Sequence, residues 1–395
     1  MKLLVIDEEF PYPLNTGKRL RTFNLTYQLT KHADVSYLAY GDENSEAFKH
    51  FKANNITPYA VQPVDLRQSG LKFYFKLFAN LFSKYPYIVT SHYSQQFADK
   101  LNRLVEEEKF DVVIVEWTPY AKYIEQLTSC KKIIVAHNIE SDIWKRYSEN
   151  ETNPAKRFYI KHQYSKLIQF EKECFNWVEG ATAVSAIDAS FIEKLNLKYK
   201  PAVIENGVDL EFFHPMEKQI KPNRLVFTGS MDWRPNQDAA EFFVKQIFPL
   251  LRKEIPDIEA YFVGRKPPQH IIDLGKTEGI VITGMVDDVR DYIAEASVYI
   301  VPLRIGGGSR LKILEAMGMK KPIVSTSIGA EGLEVTDKKD ILIGDTPEEF
   351  CRLVLNALAD RQLADSIAQQ GYELVHAKYK WSSIAEKLIH YLKSL

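Results

Sequence analysis

Ala296-Ser297-Val298-Tyr299-Ile300-Val301-Pro302-Leu303-Arg304-Ile305-Gly306-Gly307-Gly308-Ser309-Arg310-Leu311-Lys312-Ile313-Leu314-Glu315-Ala316-Met317 runs from a strand pattern through three glycines into a helix pattern. The apolar stretch 296–303 is strand-like, and Leu311, Leu314 and Met317 recur at three-residue spacing. Glycines at a strand-to-helix junction let the backbone turn tightly and approach a ligand closely. The N–H groups at the helix start, with the positive end of its dipole, form an anion site. Arg310 and Lys312 place two cations in the first turn. Cations there oppose the dipole and cost stability unless an anion is bound. The conflict points to a phosphate held around Gly306, Gly307, Gly308, Ser309, Arg310 and Lys312.

The same alternation of short β-branched runs and amphipathic stretches fills the chain. Strands are expected at 2–7, 34–39, 56–61, 111–116, 132–137, 181–185 and 202–205, then at 224–228, 259–263, 281–283, 297–303, 322–326 and 341–343. Several are apolar on both faces, as in strands covered by helices on two sides. The pattern predicts an α/β protein of two doubly wound, Rossmann-like parallel-sheet domains with a cleft between them. A loose polar segment with an Asn-Gly turn, Asn206-Gly207, and two prolines separates the halves. The expected division is 1–207, 208–375 and a C-terminal helix at 376–395 that either completes the second domain or crosses back onto the first.

At 395 residues the chain is too long for one core. Its 26% charged and 45% hydrophobic residues are those of an ordinary globular protein. A net charge of −1 gives no whole-protein attraction to nucleic acid. The three cysteines, Cys130, Cys174 and Cys351, are far apart, and no Cys/His spacing suggests a metal. No stretch approaches the length of a membrane span, and the apolar start Leu3-Leu4-Val5-Ile6 is too short for a signal peptide. A cytoplasmic protein with no metal is the expectation.

In open parallel sheets ligands bind beyond the carboxyl ends of the strands, which ranks the loops. After the first strand, Gly17 opens a helix with Lys18 and Arg19 beside it; a ligand contact and a plain solvated loop are both open. After the fifth strand stands Ala136-His137-Asn138-Ile139-Glu140. The imidazole of His137 both donates and accepts hydrogen bonds, while Asn138 also suits a helix cap. Gly229 turns the chain after the eighth strand, and Arg234 reaches a phosphate or lies solvated. Lys312 and Glu315 share a helix face. They are either a surface ion pair or, respectively, a phosphate ligand and a ribose ligand. Residues 66–87 carry four cations, many aromatics and no acids, which suits either an anionic membrane surface or a core helix with snorkelling lysines.

Taken together, Asn206-Gly207-Val208-Asp209, Gly229-Ser230 with Pro235-Asn236, Gly284, the glycine run with Leu314-Glu315-Ala316-Met317, and Lys321-Pro322-Ile323-Val324-Ser325-Thr326 resemble the retaining glycosyltransferases of family 4 (glycosyl transferases group 1), which have the GT-B fold. His137-Asn138 with Glu140-Ser141, and Ser185 with Asp188, fit the same family. The resemblance implies a nucleoside diphosphate sugar donor of UDP or GDP type and a glycan or lipid-linked acceptor. No other cofactor is implied. On the donor side it places the glycine run and Glu315; Gly17, Gly229, Arg234 and Val286 are further donor-side candidates. Lys18, Asn138 and Glu140 are the acceptor-side candidates. His137, Arg310 and Lys312 are the expected catalytic residues. One departure stands out: the family's signature has two glutamates separated by seven residues. Glu315 matches the second, and Gly307 stands where the first is expected. A sugar-nucleotide epimerase and a non-catalytic glycan-binding GT-B protein are the alternatives.

Overall fold

The computed structural model describes residues 1–14, 16–63, 70–195, 197–305 and 310–395, with only the backbone of Lys72 and Asn150. Gly306, Gly307, Gly308 and Ser309 therefore lie outside the described residues, as do residues 66–69 of the basic aromatic segment.

The chain divides into two compact units: Met1–Glu205 with Ile384–Leu395, and Asn206–Ser383. The first holds β1 (Lys2–Ile6), β2 (Asp34–Tyr40), β3 (Thr57–Val61), β4 (Val112–Val115), β5 (Lys131–Ala136), β6 (Gly180–Ala183) and β7 (Ala202–Val203). They form a parallel sheet of order β3-β2-β1-β4-β5-β6-β7. The second holds β8 (Arg224–Thr228), β9 (Glu259–Val263), β10 (Ile280–Gly284), β11 (Val298–Val301), β12 (Ile323–Ser325) and β13 (Leu342–Ile343). Their order is β10-β9-β8-β11-β12-β13, again parallel. Each expected strand is present, and the fold is the doubly wound α/β architecture read from the sequence.

The boundaries move for local chemical reasons. β11 stops at Val301, whose partner is Ser325, because Pro302 has no N–H to continue the ladder. β6 stops at Ala183 because Ser185 caps the next helix, its side chain accepting from the Asp188 N–H at 3.2 Å. The central strands are buried on both faces: Leu3, Leu4, Val5 and Ile6 in β1, and Val298, Tyr299, Ile300 and Val301 in β11.

In each sheet the strand order reverses at one point, between β1 and β4 in the first unit and between β8 and β11 in the second. Crevices for ligands open at such switch points, beyond the carboxyl ends of the strands. The C-terminal segment of the first unit buries Ile384, Ala385, Leu388, Ile389 and Leu392 at helical spacing. Tyr391 Oη accepts from the Ala181 N–H at 3.0 Å, and Lys387 Nζ pairs with Glu205 at 3.0 Å. No helix among the described residues is long and apolar enough to cross a membrane.

Candidate active site

In the second unit, the turn after β8 meets the helix Leu311–Gly318, which follows β11. Thr228 ends β8, and its Oγ1 bonds the hydroxyl of the fully buried Tyr299 at 2.5 Å. Gly229 follows. A Cβ there would stand 2.8 Å from Asn236 Nδ2 and 2.9 Å from Lys312 Nζ, so a side chain would displace both. Asn236, in the first turn of the helix Arg234–Phe242, bridges the two elements. Its Nδ2 donates to the Ser230 carbonyl at 2.8 Å, and its Oδ1 accepts from Lys312 Nζ at 2.8 Å. The lysine also sits 3.9 Å above the Phe227 ring. Gly264, after β9, completes the wall, because a Cβ there would fall 1.8 Å from the Gly229 carbonyl oxygen.

Lys312 and Glu315 lie one turn apart on the helix Leu311–Gly318, both half-buried. Burial pushes Lys312 down to about 7; Glu315 opposes that shift, and the Arg310 charge adds to it. Burial pushes Glu315 up to about 7, opposed by Lys312. No ion pair joins them among the described residues, so the sequence-level option of a plain surface pair does not hold. Two charges that resist ionisation in the same pocket are poised for a ligand that supplies the missing partners.

Arg310 departs from expectation. It is not in the first turn but precedes it, in the left-handed region at φ 48°. A non-glycine residue held there stores strain on the order of 1–2 kcal/mol. Its guanidinium is buried and bonds Glu331, with Nη2–Oε2 at 3.3 Å and Nε to the carbonyl at 3.4 Å. The residue sequence reasoning offered as a free cation is thus tied to an acid twenty-one positions away, a partner invisible to local spacing. Arg234 begins its helix, exposed. Val286 is half-buried against the core after β10, with β9 between that strand and β8.

The first unit gathers a second polar cluster where its strand order reverses. Asp7, immediately past β1, is buried; it accepts from Lys18 Nζ at 2.8 Å and from the Tyr37 hydroxyl at 2.9 Å. Lys18 also pairs with Glu8 at 2.7 Å. Burial raises the Asp7 carboxyl, with the Lys18 charge opposing it, while Asp7 and Glu8 outweigh burial at Lys18 and hold it well above an ordinary lysine. Lys18, expected on the acceptor side, is therefore engaged by two internal acids.

Glu116, just past β4, accepts from His137 Nε2 at 2.8 Å and from Thr22 Oγ1 at 3.2 Å. Burial works against its ionisation, yet the His137 bond and charge, with Arg21 and Lys18, hold it below the usual carboxylate range. An ionised carboxylate only accepts, so Nε2 carries the hydrogen and Nδ1 of a neutral ring is left as an acceptor. Glu140 opens the helix Glu140–Asn150, buried, and accepts from Trp117 Nε1 at 2.9 Å. Burial raises its carboxyl. Asn138 is exposed and is not the helix cap; Ile139 holds that position without a side-chain bond. Gly17 starts its helix after Thr16, whose side chain accepts from the Arg19 N–H at 3.3 Å.

Asp7, Glu116 and Asn236 were missed as site residues. The signal was present: the two acids directly follow apolar strands, the position at which His137 was noticed.

Two doubly wound parallel sheets with polar clusters at their switch points are the architecture of the GT-B glycosyltransferases. Residues 222–360 match the family model for glycosyl transferases group 1. The chain is 23% identical over 398 residues to an uncharacterized 44.6 kDa protein in the cps region of Klebsiella pneumoniae, covering 96% of each. It is 23% identical over 245 residues to the lipopolysaccharide core biosynthesis mannosyltransferase LpcC of Rhizobium leguminosarum bv. viciae, covering 57% of this chain and 67% of that protein. Anabaena HepE, solved in complex with UDP and glucose, shares the fold with a TM-score of 0.67 at 12% identity, covering 100% of both chains. Together these matches show a GT-B fold in which residues 222–360 are similar to the group 1 glycosyltransferases.

Proposed function

We propose that this protein moves a hexosyl group from a nucleoside diphosphate sugar to a hydroxyl of a glycan or lipid-linked saccharide, with retention at the anomeric carbon, in the synthesis of a cell-surface polysaccharide. The observation that carries the reading is the pocket at the switch point of the second unit. There Lys312, fixed by Asn236 and pushed down to about 7 by burial, stands beside Glu315 and the tight Gly229 turn. A diphosphate supplies the anion this lysine lacks, and a ribose diol supplies donors to Glu315.

In the reaction the bond from the anomeric carbon to the diphosphate oxygen breaks, and a bond to the acceptor oxygen forms on the same face. The acceptor proton passes to the departing phosphate oxygen. Negative charge grows on the diphosphate, and Lys312 with the N-terminus of the helix Leu311–Gly318 is placed to stabilise it. Backbone N–H groups at Gly307 and Gly308 take the part a glutamate plays elsewhere in the family. Arg310, directly before that helix, is paired with Glu331. On this reading the cations carry the leaving-group charge and no metal is required. In the first unit, His137, held by Glu116, binds a sugar hydroxyl, with Asn138 and Glu140 beside it. The Anabaena structure with UDP, the mannosyltransferase relative and the relative from a cps region support the reading.

The test is incubation with a panel of UDP- and GDP-sugars and an extracted saccharide-lipid fraction, with NMR of the product. Transfer with the donor's anomeric configuration kept is expected. An inverted product refutes retention; conversion of the donor without acceptor points to an epimerase; nucleotide binding without turnover points to a glycan-binding protein.

A further inference from the structure

The helix Leu71–Asn80 and the turn after it leave a row of large apolar side chains in solvent. Leu71 is 91% exposed, Phe75 71%, Phe78 59% and Phe82 80%. With Tyr74 they follow the spacing i, i+3, i+4, i+7 and i+11, which is one stripe of a helix. Their apolar edges have been given nothing of this unit to cover them among the described residues. The opposite side of the helix is latched. Asn80 is buried; its Nδ2 donates to the Tyr85 carbonyl and to Thr90 Oγ1, and its Oδ1 accepts from Gln163 Nε2 at 2.9 Å. Lys166 Nζ donates to the Leu81 carbonyl at 3.3 Å.

That latch ties the stripe to the helix Pro154–Cys174, which carries a matching surface. His162 bonds the Leu81 carbonyl at 3.2 Å, and Phe158, one turn earlier, is 70% exposed. Lys156, Arg157 and Lys161 are exposed around it, as is Lys76 on the aromatic helix. No acid occurs from residue 66 to 98 or from 154 to 170. Glu173, just past the second stretch, is paired with Lys84 at 2.8 Å. Exposed aromatic side chains with cations among them on two joined helices have the two components of a peripheral membrane site: rings that enter the headgroup boundary and lysines that meet anionic lipid. A second copy of the same face would bring these cations against one another, which disfavours self-association.

We propose that this face docks on an anionic bilayer surface, seating the first unit on the membrane through Phe75, Phe78, Phe82 and Phe158 with Lys76, Lys156, Arg157 and Lys161 around them. The proposal goes beyond the transfer reaction and stands without it. The test is flotation of the intact chain with phosphatidylcholine vesicles, with and without phosphatidylglycerol. The chain floats only with the anionic vesicles, and less as salt rises. Phe75→Ser with Phe78→Ser lowers partitioning by more than about tenfold, and Lys76→Ala lowers it by about fivefold. These side chains are exposed, so thermal unfolding of the variants and their response to nucleotide stay as in the parent. Failure to float with anionic vesicles overturns the proposal. So does equal flotation of the double phenylalanine variant, a dimer broken by it, or retention on single-stranded nucleic acid through the same residues.

Discussion

Replacing Lys312 with methionine separates the stability of the free protein from its affinity for ligand. Burial moves this amine from the 10.5 of an ordinary lysine to about 7. At pH 7.5 the unfolded chain charges it fully and the folded chain resists, a difference of three pH units worth about 4 kcal/mol at most. Methionine has a similar length and no charge to bury. It forfeits the bond to Asn236, worth about 1 kcal/mol. It also removes the group that opposes the rise of Glu315, so that carboxyl is pushed further up and is less charged than in the parent. The variant is therefore more stable than the parent by roughly 2–3 kcal/mol, an upward Tm shift of roughly 5–10 °C for a unit of this size. The sign with pH follows: the cost of the lysine is full below about 7 and vanishes above 10.5, so the gap closes as pH rises between them. Calorimetry from pH 6.5 to about 9.5 reads both effects. UDP or GDP at a hundredfold excess over its Kd stabilises the parent by about 2.7 kcal/mol and leaves the variant nearly unmoved. A variant that melts lower than the parent, and still gains stability from the nucleotide, refutes the reasoning.

Other consequences are as direct. Glu116→Gln keeps the shape but loses the charge that holds His137; kcat falls by about tenfold or more with KM little changed, and Gln rescues stability relative to Ala, which costs about 1–3 kcal/mol. Because Glu116 is held below its ordinary value of 4.5, its contribution to stability is present above that pH and lost as pH falls through the lower folded value; the acid limb of a Tm–pH curve flattens in the Gln variant. Gly264→Ala pushes a Cβ into the Gly229 carbonyl, so the turn shifts, stability drops by about 1–3 kcal/mol and nucleotide affinity falls with it, as titration calorimetry reads. Excess EDTA leaves transfer unchanged if cations alone carry the leaving group; loss of activity restored by Mg²⁺ contradicts that assignment.

The strands were legible because a strand covered on both faces must be apolar throughout, and runs such as Val112-Val113-Ile114-Val115 have no other use. Their parallel order followed from alternation with helices. Gly229 and the Lys312–Glu315 pair were legible for a related reason: strand ends and helix turns are fixed by spacing of two to four residues. Partners joined across loops were not. Arg310 with Glu331, Lys18 with Asp7 and Glu8, and Lys312 with Asn236 depend on which strands are neighbours, not on distance along the chain. The aromatic segment carried both its readings in composition alone. Only the exposure of Leu71, Phe75 and Phe78 shows that the rings are not core.

The central claim is that the second unit is built to hold a nucleoside diphosphate at Lys312 and Glu315. Titration calorimetry of the intact chain with UDP, GDP and ADP, each beside its monophosphate, tests it most directly. The account predicts one-to-one binding of one diphosphate, at least about tenfold tighter than its monophosphate, abolished by Lys312→Met and weakened by Glu315→Gln. Absence of binding by all three diphosphates, or binding unchanged in the Lys312 variant, contradicts it.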